Sequence, residues 1–359
     1  MGFVEGLFFM IARRYLGICL TAVFLSSNIS ISMEDKQTNA IAELMHVKPD
    51  QIALQRQGKA TKTMQIYSFK LNGKKYIVKF LTNKHKFANM KKEIEMLRTL
   101  SELGVGAKLV AVGAENDCYI REYVPGKTLK CKDIQDDKVL IAFAKAVRKL
   151  HEYKSKDETM TRNLLQQTEK YVNKIAKYKI ATPPEFNKAY SKFKKMFKSL
   201  KVTKGFCHNY LNPRSVLLTA DGNIYFIKFN HCGCSNVIEE LGYLTFSGNI
   251  VGDKLKKFLE EYYGRHPKKE EIEQIELAQK LVCFSISAQC FASSETKNDY
   301  KKDIKAKQKA LAEIEKTTDK ELLQEYIKQG KIISRYSRNK DFVKKYAIAC
   351  YKTFLSAMS

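Results

Sequence analysis

Hydrophobic positions along this chain follow two periods. Up to Val124, short alternating or continuous apolar runs predominate; beyond the turn Pro125-Gly126, apolar positions recur every three to four residues. The segments 65–71 and 75–80 flank Asn72-Gly73, a pair suited to a two-residue hairpin turn because both central residues must take positive φ. Phe87, Met90, Ile94, Leu97 and Leu100 share one helical face within 86–103, and residues 108–112 and 118–123 read as two further strands. Asn39 is placed to cap a short helix over 40–45. Val139, Phe143, Val147 and Leu150 mark one face of a helix over 137–152. A long basic amphipathic region covers 161–200, broken near Pro183-Pro184, and helices follow near 252–263, 268–292, 300–329 and 339–357. The pattern predicts an α+β protein with a small β-rich lobe over 33–124 and a larger, mainly helical lobe over 125–359.

Composition adds three points. At 359 residues and 44% hydrophobic, the chain buries a large core. Its net charge of +26 favours anionic surfaces. The lysines come in scattered pairs such as Lys74-Lys75 and Lys256-Lys257, with no arginine-rich block and no specific nucleic-acid module, so the charge supports only non-specific attraction. The nine cysteines, at 19, 118, 131, 207, 232, 234, 283, 290 and 350, lack the spacing of a disulfide scaffold and read as buried free thiols. Cys232-Gly233-Cys234 has the look of half a metal site, but no second close pair with ligand spacing accompanies it.

Residues 1–32 have the order of a secretory signal: Arg13-Arg14, the apolar run Tyr15–Leu25, then Ser26-Ser27-Asn28. The same segment fits a membrane anchor if Leu7–Met10 lengthen the run, or a translated leader ahead of Met33. The first two readings make the protein exported or membrane-associated; the third leaves it cytoplasmic.

The most informative stretch is 204–242, KGFCHNYLNPRSVLLTADGNIYFIKFNHCGCSNVIEELG. Its LNPRSVLLTADGNIYFI series, with GCSN and ELG after it, resembles the choline/ethanolamine kinase branch of the aminoglycoside-phosphotransferase-like, protein-kinase-fold superfamily. The resemblance runs from Met33 to Ser359. It implies a two-lobed kinase-like fold and an ATP-dependent phosphotransferase ancestry. It also implies a loop H-x-D-x-x-x-x-N that supplies a base and a metal ligand, with a second metal-binding Asp after the next strand. This chain keeps His208 and Asn212 in that loop, but the base position is Tyr210, the metal Asn position is Ser215 and the metal Asp position is Lys228. By the same resemblance, Lys79 matches the lysine that holds the α/β-phosphates, and Glu93 its ion-pair partner. Glu122 and Val124 match the hinge that pairs with adenine, and Gly58 the one glycine left in a phosphate loop Gly58–Lys62. Asn230 stands where the branch often has an acid, and Glu240 keeps a later acidic position.

These replacements act in one direction. A tyrosine phenol, with an ordinary pKa near 10, is protonated at neutral pH and cannot serve as the base. Loss of a general base typically costs ~10²–10⁴ in rate. Serine is a poor Mg²⁺ ligand and an ammonium repels the ion, so no catalytic set is intact and no metal site is expected. ATP binding, if the cleft takes a nucleotide at all, is then expected to be weak and Mg²⁺-independent, with Lys79 and Lys228 on the phosphates; alternatively Lys228 fills the metal's place by pairing with Glu240, and the opposite reading is a cleft that binds no nucleotide. The chain is read as a pseudokinase acting as a binding or regulatory module for an unidentified protein or small molecule. Two alternatives stand beside it: a weakly active phosphotransferase on a small amino-alcohol, and a basic protein for anionic lipid or nucleic acid. A quaternary ammonium needs aromatic faces and a carboxylate. With no Trp in the chain, Tyr262 and Tyr263 with Glu260 and Glu261 are the residues available, but tyrosines in an amphipathic helix are more often core or rim, and choline is not the expected ligand.

Overall fold

Asn72 and Gly73 take φ values of +50° and +76°, and the strands they join, β2 (Met64–Leu71) and β3 (Lys74–Leu81), pair in register from Leu71 opposite Lys74 to Met64 opposite Leu81. The computed structural model describes residues 33–57, 64–81, 87–156, 159–229, 231–295, 303–328 and 339–357. The expectations for residues 1–32, for the loop Gly58–Lys62 and for Asn230 lie outside these residues.

The chain divides into two compact units: Met1–Thr82 with Ala111–Ile120, and Asn83–Val110 with Arg121–Ser359. In the first, helix α1 (Met33–Met45) packs Ile41 and Ala42 against Phe69, Val78 and Ile120. Asn39 lies inside this helix and does not cap it, because the helix begins at Met33 with Glu34 and Asp35 in its first turn, where carboxylates complement the helix dipole. With β1 (Gln55–Arg56), β4 (Leu109–Val112) and β5 (Cys118–Glu122), the hairpin forms a five-stranded sheet in the order β1-β2-β3-β5-β4.

The second unit is mainly helical. Helix α2 (Phe87–Glu102) buries Met90, Ile94, Leu97 and Leu100. After β6 (Lys127–Thr128) and the short α3 (Cys131–Ile134) comes α4 (Asp137–Glu152), which matches its predicted span and is capped by Asp136 accepting from the Lys138 and Val139 N–H groups. The basic region 161–200 holds two helices, α5 (Leu164–Lys177) and α6 (Phe186–Phe197), separated across the prolines. Next come the strands β7 (Lys204–Cys207), β8 (Val216–Leu218), β9 (Ile224–Phe226) and β10 (Gly233–Asn236), paired as β10-β7 and β6-β8-β9. Helices α7 (Val237–Gly248), α8 (Asp253–Tyr263) and α9 (Lys269–Ser293) follow. The expected helix over 300–329 is two, α10 (Ile304–Lys316) and α11 (Glu321–Lys328), and α12 (Lys340–Ser356) ends the described chain. The break falls at Thr317 and Thr318, whose hydroxyls donate to the Ile314 carbonyl and compete with the helix ladder.

Helix α9 is the axis of this unit, with α5, α6, α7 and α12 packed on it. Phe186 of α6 stacks on Phe284 of α9 at 5.2 Å, and Phe193 and Phe354 meet the same ring at 5.1 Å. Where α7 crosses α9, Gly242 leaves no room for a side chain: a Cβ would fall on the Ala278 methyl and 2.9 Å from the Ala278 carbonyl carbon. Alanine is intrinsically worth up to ~1 kcal/mol over glycine in a helix, but overpacking costs ~1–3 kcal/mol. Gly242→Ala is therefore expected to destabilise the protein by up to about 2 kcal/mol in urea unfolding; a stabilised variant would show that this crossing yields readily.

Candidate functional site

The loop after β7 is built by its neighbours before any of its own chemistry enters. Strand β10 pairs antiparallel with β7, Gly233 opposite Cys207, and Asn236 ends β10 and caps α7 by accepting from the Ile238 N–H at 3.2 Å. This cap sets Glu240 in the first turn of α7, pointing at the loop. Its carboxylate accepts from the His208 N–H at 2.8 Å and the Asn209 N–H at 2.5 Å. Asn209 sits in the left-handed region with φ +68°, where asparagine is among the better tolerated side chains. Its amide donates to the His231 carbonyl at 2.8 Å and to Thr161 Oγ1 at 3.0 Å.

A third partner reaches Glu240 from α4. His151 Nε2 lies 3.0 Å from a Glu240 oxygen, and His151 Nδ1 lies 2.8 Å from the Tyr262 hydroxyl. The tautomer with its proton on Nε2 satisfies every group: the Tyr262 O–H donates to Nδ1 and Nε2–H donates to the carboxylate. Burial pushes the Glu240 carboxyl up, but the His151 and His208 partners outweigh it and hold the group below its ordinary range. Burial likewise drives the Tyr262 phenol well above its ordinary value. His208 is fully buried and its pKa is lowered, mainly by desolvation, so the ring is neutral. Its Nε2 donates to the Ile227 carbonyl at 2.9 Å, which leaves Nδ1 as a buried acceptor without a partner.

His151, Cys207 and Glu240 have ligand atoms within 4.8 Å of one another, the only such cluster among the described residues. Its chemistry is that of a brace. The histidine and carboxylate bond each other, and burial pushes the Cys207 thiol well up, away from the thiolate a metal wants. Cys232 and Cys234 are buried free thiols, as are the six other described cysteines.

The three replaced positions have different fates. Asn212 caps the short turn Pro213–Ser215, accepting from the Arg214 N–H at 3.0 Å. Ser215 is buried, and its Oγ accepts from the Asn212 N–H at 3.0 Å and lies 2.8 Å from the Asn212 carbonyl. That hydroxyl is committed to the turn. Half-buried Tyr210 has the Arg162 guanidinium 4.2 Å from its ring centroid, and the same guanidinium lies 5.7 Å from the Tyr243 ring. Lys228, at φ +64°, is exposed and donates to the Arg214 carbonyl at 2.9 Å. Partial desolvation, then the Arg214 charge, lower its pKa. The expected Lys228–Glu240 pair is absent: the carboxylate is enclosed by His151, His208 and Asn209, while Lys228 turns the other way.

The remaining predicted residues are spread over both units. Lys79, on β3 in the first, is 6% exposed with its ammonium 6.0 Å from the Tyr119 ring centroid. Glu93, on α2 in the second, is also 6% exposed. Glu122 and Val124 line an open cleft of about 790 Å³ with Gly104, Lys108, Asp221 and Tyr225, and neither Tyr210, Ser215 nor Lys228 borders it. The Glu122 N–H is spent on the Lys108 carbonyl at 2.9 Å. Tyr262 and Tyr263 do not form an aromatic cage: Tyr262 is core, Glu260 bonds His266 and Glu261 faces Lys145.

A family model for choline/ethanolamine kinase matches residues 37–244, more than half of the chain. The chain belongs to this family. No curated protein matches it. Among solved structures, it is similar to a choline/ethanolamine kinase family protein from Mesorhizobium loti (TM-score 0.58, 13% identity, 89% of this chain and 99% of that one). It is also similar to the choline kinase LicA from Streptococcus pneumoniae (TM-score 0.53, 20% identity, 77% and 96%), a protein also solved in complex with AMP. A putative aminoglycoside phosphotransferase from Ralstonia eutropha aligns at TM-score 0.54 and 11% identity, over 86% and 98%. These likenesses show a two-lobed kinase-like fold, in keeping with the mixed β and helical architecture described above.

Sequence reasoning missed His151, Thr161 and Arg162, and singled out Tyr262 for an aromatic cage where it instead bonds His151. None belongs to a local motif; a histidine at the end of an amphipathic helix was the one available signal. The geometry also sets a pH dependence. The unfolded chain's His208 takes a proton from about pH 6.5 downward that the buried ring refuses, so stability falls as pH drops below that value. Glu240, depressed in the fold, adds a second loss below about pH 4.3, as the unfolded carboxyl protonates first. Melting temperatures from pH 8 to 2.5 test both steps. Glu240→Gln, which turns an amide N–H₂ toward backbone donors, is expected to cost about 3 kcal/mol at pH 7 and to abolish the lower step; an unchanged profile would remove Glu240 from this role.

Proposed function

We propose that this member of the choline/ethanolamine kinase family has lost phosphoryl transfer and acts as a binding or regulatory module. The observation that carries the reading is Lys228. At the position where the family pattern calls for a metal-binding carboxylate, an ammonium is tied to the Arg214 carbonyl with the Arg214 charge close by. A divalent cation brought there meets two positive charges and no carboxylate in exchange. Tyr210 and Ser215 act in the same sense, because one ring is covered by Arg162 and the other hydroxyl is bound into its turn. Neither is placed to take a proton from an acceptor alcohol or to hold a metal.

Nucleotide binding is a separate matter. Gly58, Lys79, Glu93, Glu122 and Val124 are the candidate contacts, and the AMP complex of LicA supports a nucleotide as ligand class. With cations at 79 and 228 and no metal carboxylate, the affinity for ATP is expected to be weak and to change less than about twofold on adding Mg²⁺. Calorimetric titration with and without Mg²⁺ measures this, and strict Mg²⁺ dependence would sink it.

A second reading, a slow ATP-dependent phosphotransferase on a small amino-alcohol, draws on the buried Lys79 and Glu93. ADP release over a panel of amino-alcohols separates the two. The parent is expected to match its buffer blank, and Tyr210→Asp/Ser215→Asn/Lys228→Asp to exceed it by ~10² or more. Turnover by the parent would overturn the inactive reading.

A further inference from the structure

The positive charge of this protein is densest along one stretch of the chain. Residues 170–204 contain eleven lysines and one acid, Glu185, so this stretch alone supplies +10 of the net +26. It contains no arginine. The fold explains how so many like charges are tolerated. Helices α5 and α6 each bury an apolar face, and both pack on α9. On α5 the lysines 170, 174 and 177 recur at i, i+4 and i+7; on α6 Lys188, Lys192 and Lys195 repeat the same interval. On α6 these three lie opposite the buried Phe186, Ala189 and Phe193 and are all exposed. Two ion pairs on this stretch are exposed: Lys188 with Glu185 at 3.0 Å and Lys201 with Glu270 at 4.0 Å. Val202, 65% exposed, is the most exposed large hydrophobic among the described residues, and it stands between Lys201 and Lys204.

We infer that the exposed lysine face of α6 is a docking surface for an anionic lipid bilayer. Its chemistry selects that partner over a nucleic acid. Lysine offers a mobile point charge suited to a diffuse negative surface, whereas base reading and bidentate phosphate contact call for arginine. Clusters of basic residues near an anionic leaflet gain about a factor of five per side chain. An exposed valine among the lysines adds an apolar group that a bilayer can take up and a nucleic-acid backbone cannot. This inference stands apart from the nucleotide cleft and from the question of catalysis.

Vesicle flotation of the full chain tests it, with phosphatidylcholine vesicles with and without 30% phosphatidylserine. Lys188→Glu/Lys192→Glu/Lys195→Glu is compared with Lys74→Glu/Lys91→Glu/Lys309→Glu, three exposed lysines elsewhere whose reversal changes the net charge equally. Binding only to the anionic vesicles is expected, weakened about 100-fold or more by the α6 triple and less than about threefold by the control. Val202→Asp is expected to weaken binding that survives at raised salt. Equal losses in both triples, no flotation of the parent, or tighter binding to a DNA or RNA duplex than to vesicles at the same salt would each overturn the proposal. Melting curves keep the comparison fair, since all six lysines are exposed and their variants should melt like the parent.

Discussion

The Glu240 carboxylate organises the region on which any function of the second unit depends. It is buried, and its oxygens accept from two consecutive backbone N–H groups and from a histidine 89 residues upstream. A charged carboxylate stripped of water is costly unless each oxygen finds a donor. That requirement fixes β7, the start of α7 and the end of α4 against one another. It also holds Asn209 in its left-handed conformation, from which the amide ties down residues 161 and 231.

None of these contacts uses Tyr210 or Lys228. The scaffold of the loop and the chemistry of the loop are therefore separable. Glu240, His208, Asn209 and Asn212 preserve the shape through backbone bonds, which do not care what the neighbouring side chains can catalyse. The shape of the loop is therefore kept whatever residues stand at positions 210 and 228. The replacements also share a sign: Arg162 over Tyr210, and Lys228 beside Arg214, make the loop a cationic place.

Positive charge works differently on the lysine face of α6. There the lysines are solvated and their apolar partners lie beneath them, so charge and packing make no competing demands on the same atoms. At the loop, partial desolvation lowers the pKa of Lys228. The two settings show that one net charge describes neither site.

The sequence by itself determined the hairpin around Asn72-Gly73 and helix α4. These rest on local periodicity and turn chemistry, both of which are written over a few neighbouring residues. It misplaced the start of α1 and ran α10 into α11, because caps and breaks turn on single side chains competing for backbone groups. Only the tertiary structure decided that Ser215 faces into its turn, that Lys228 faces away from Glu240, and that His151 and Tyr262 complete the buried brace. Those outcomes depend on which distant segments supply donors and acceptors to a group taken out of water, and that is settled when the helices pack.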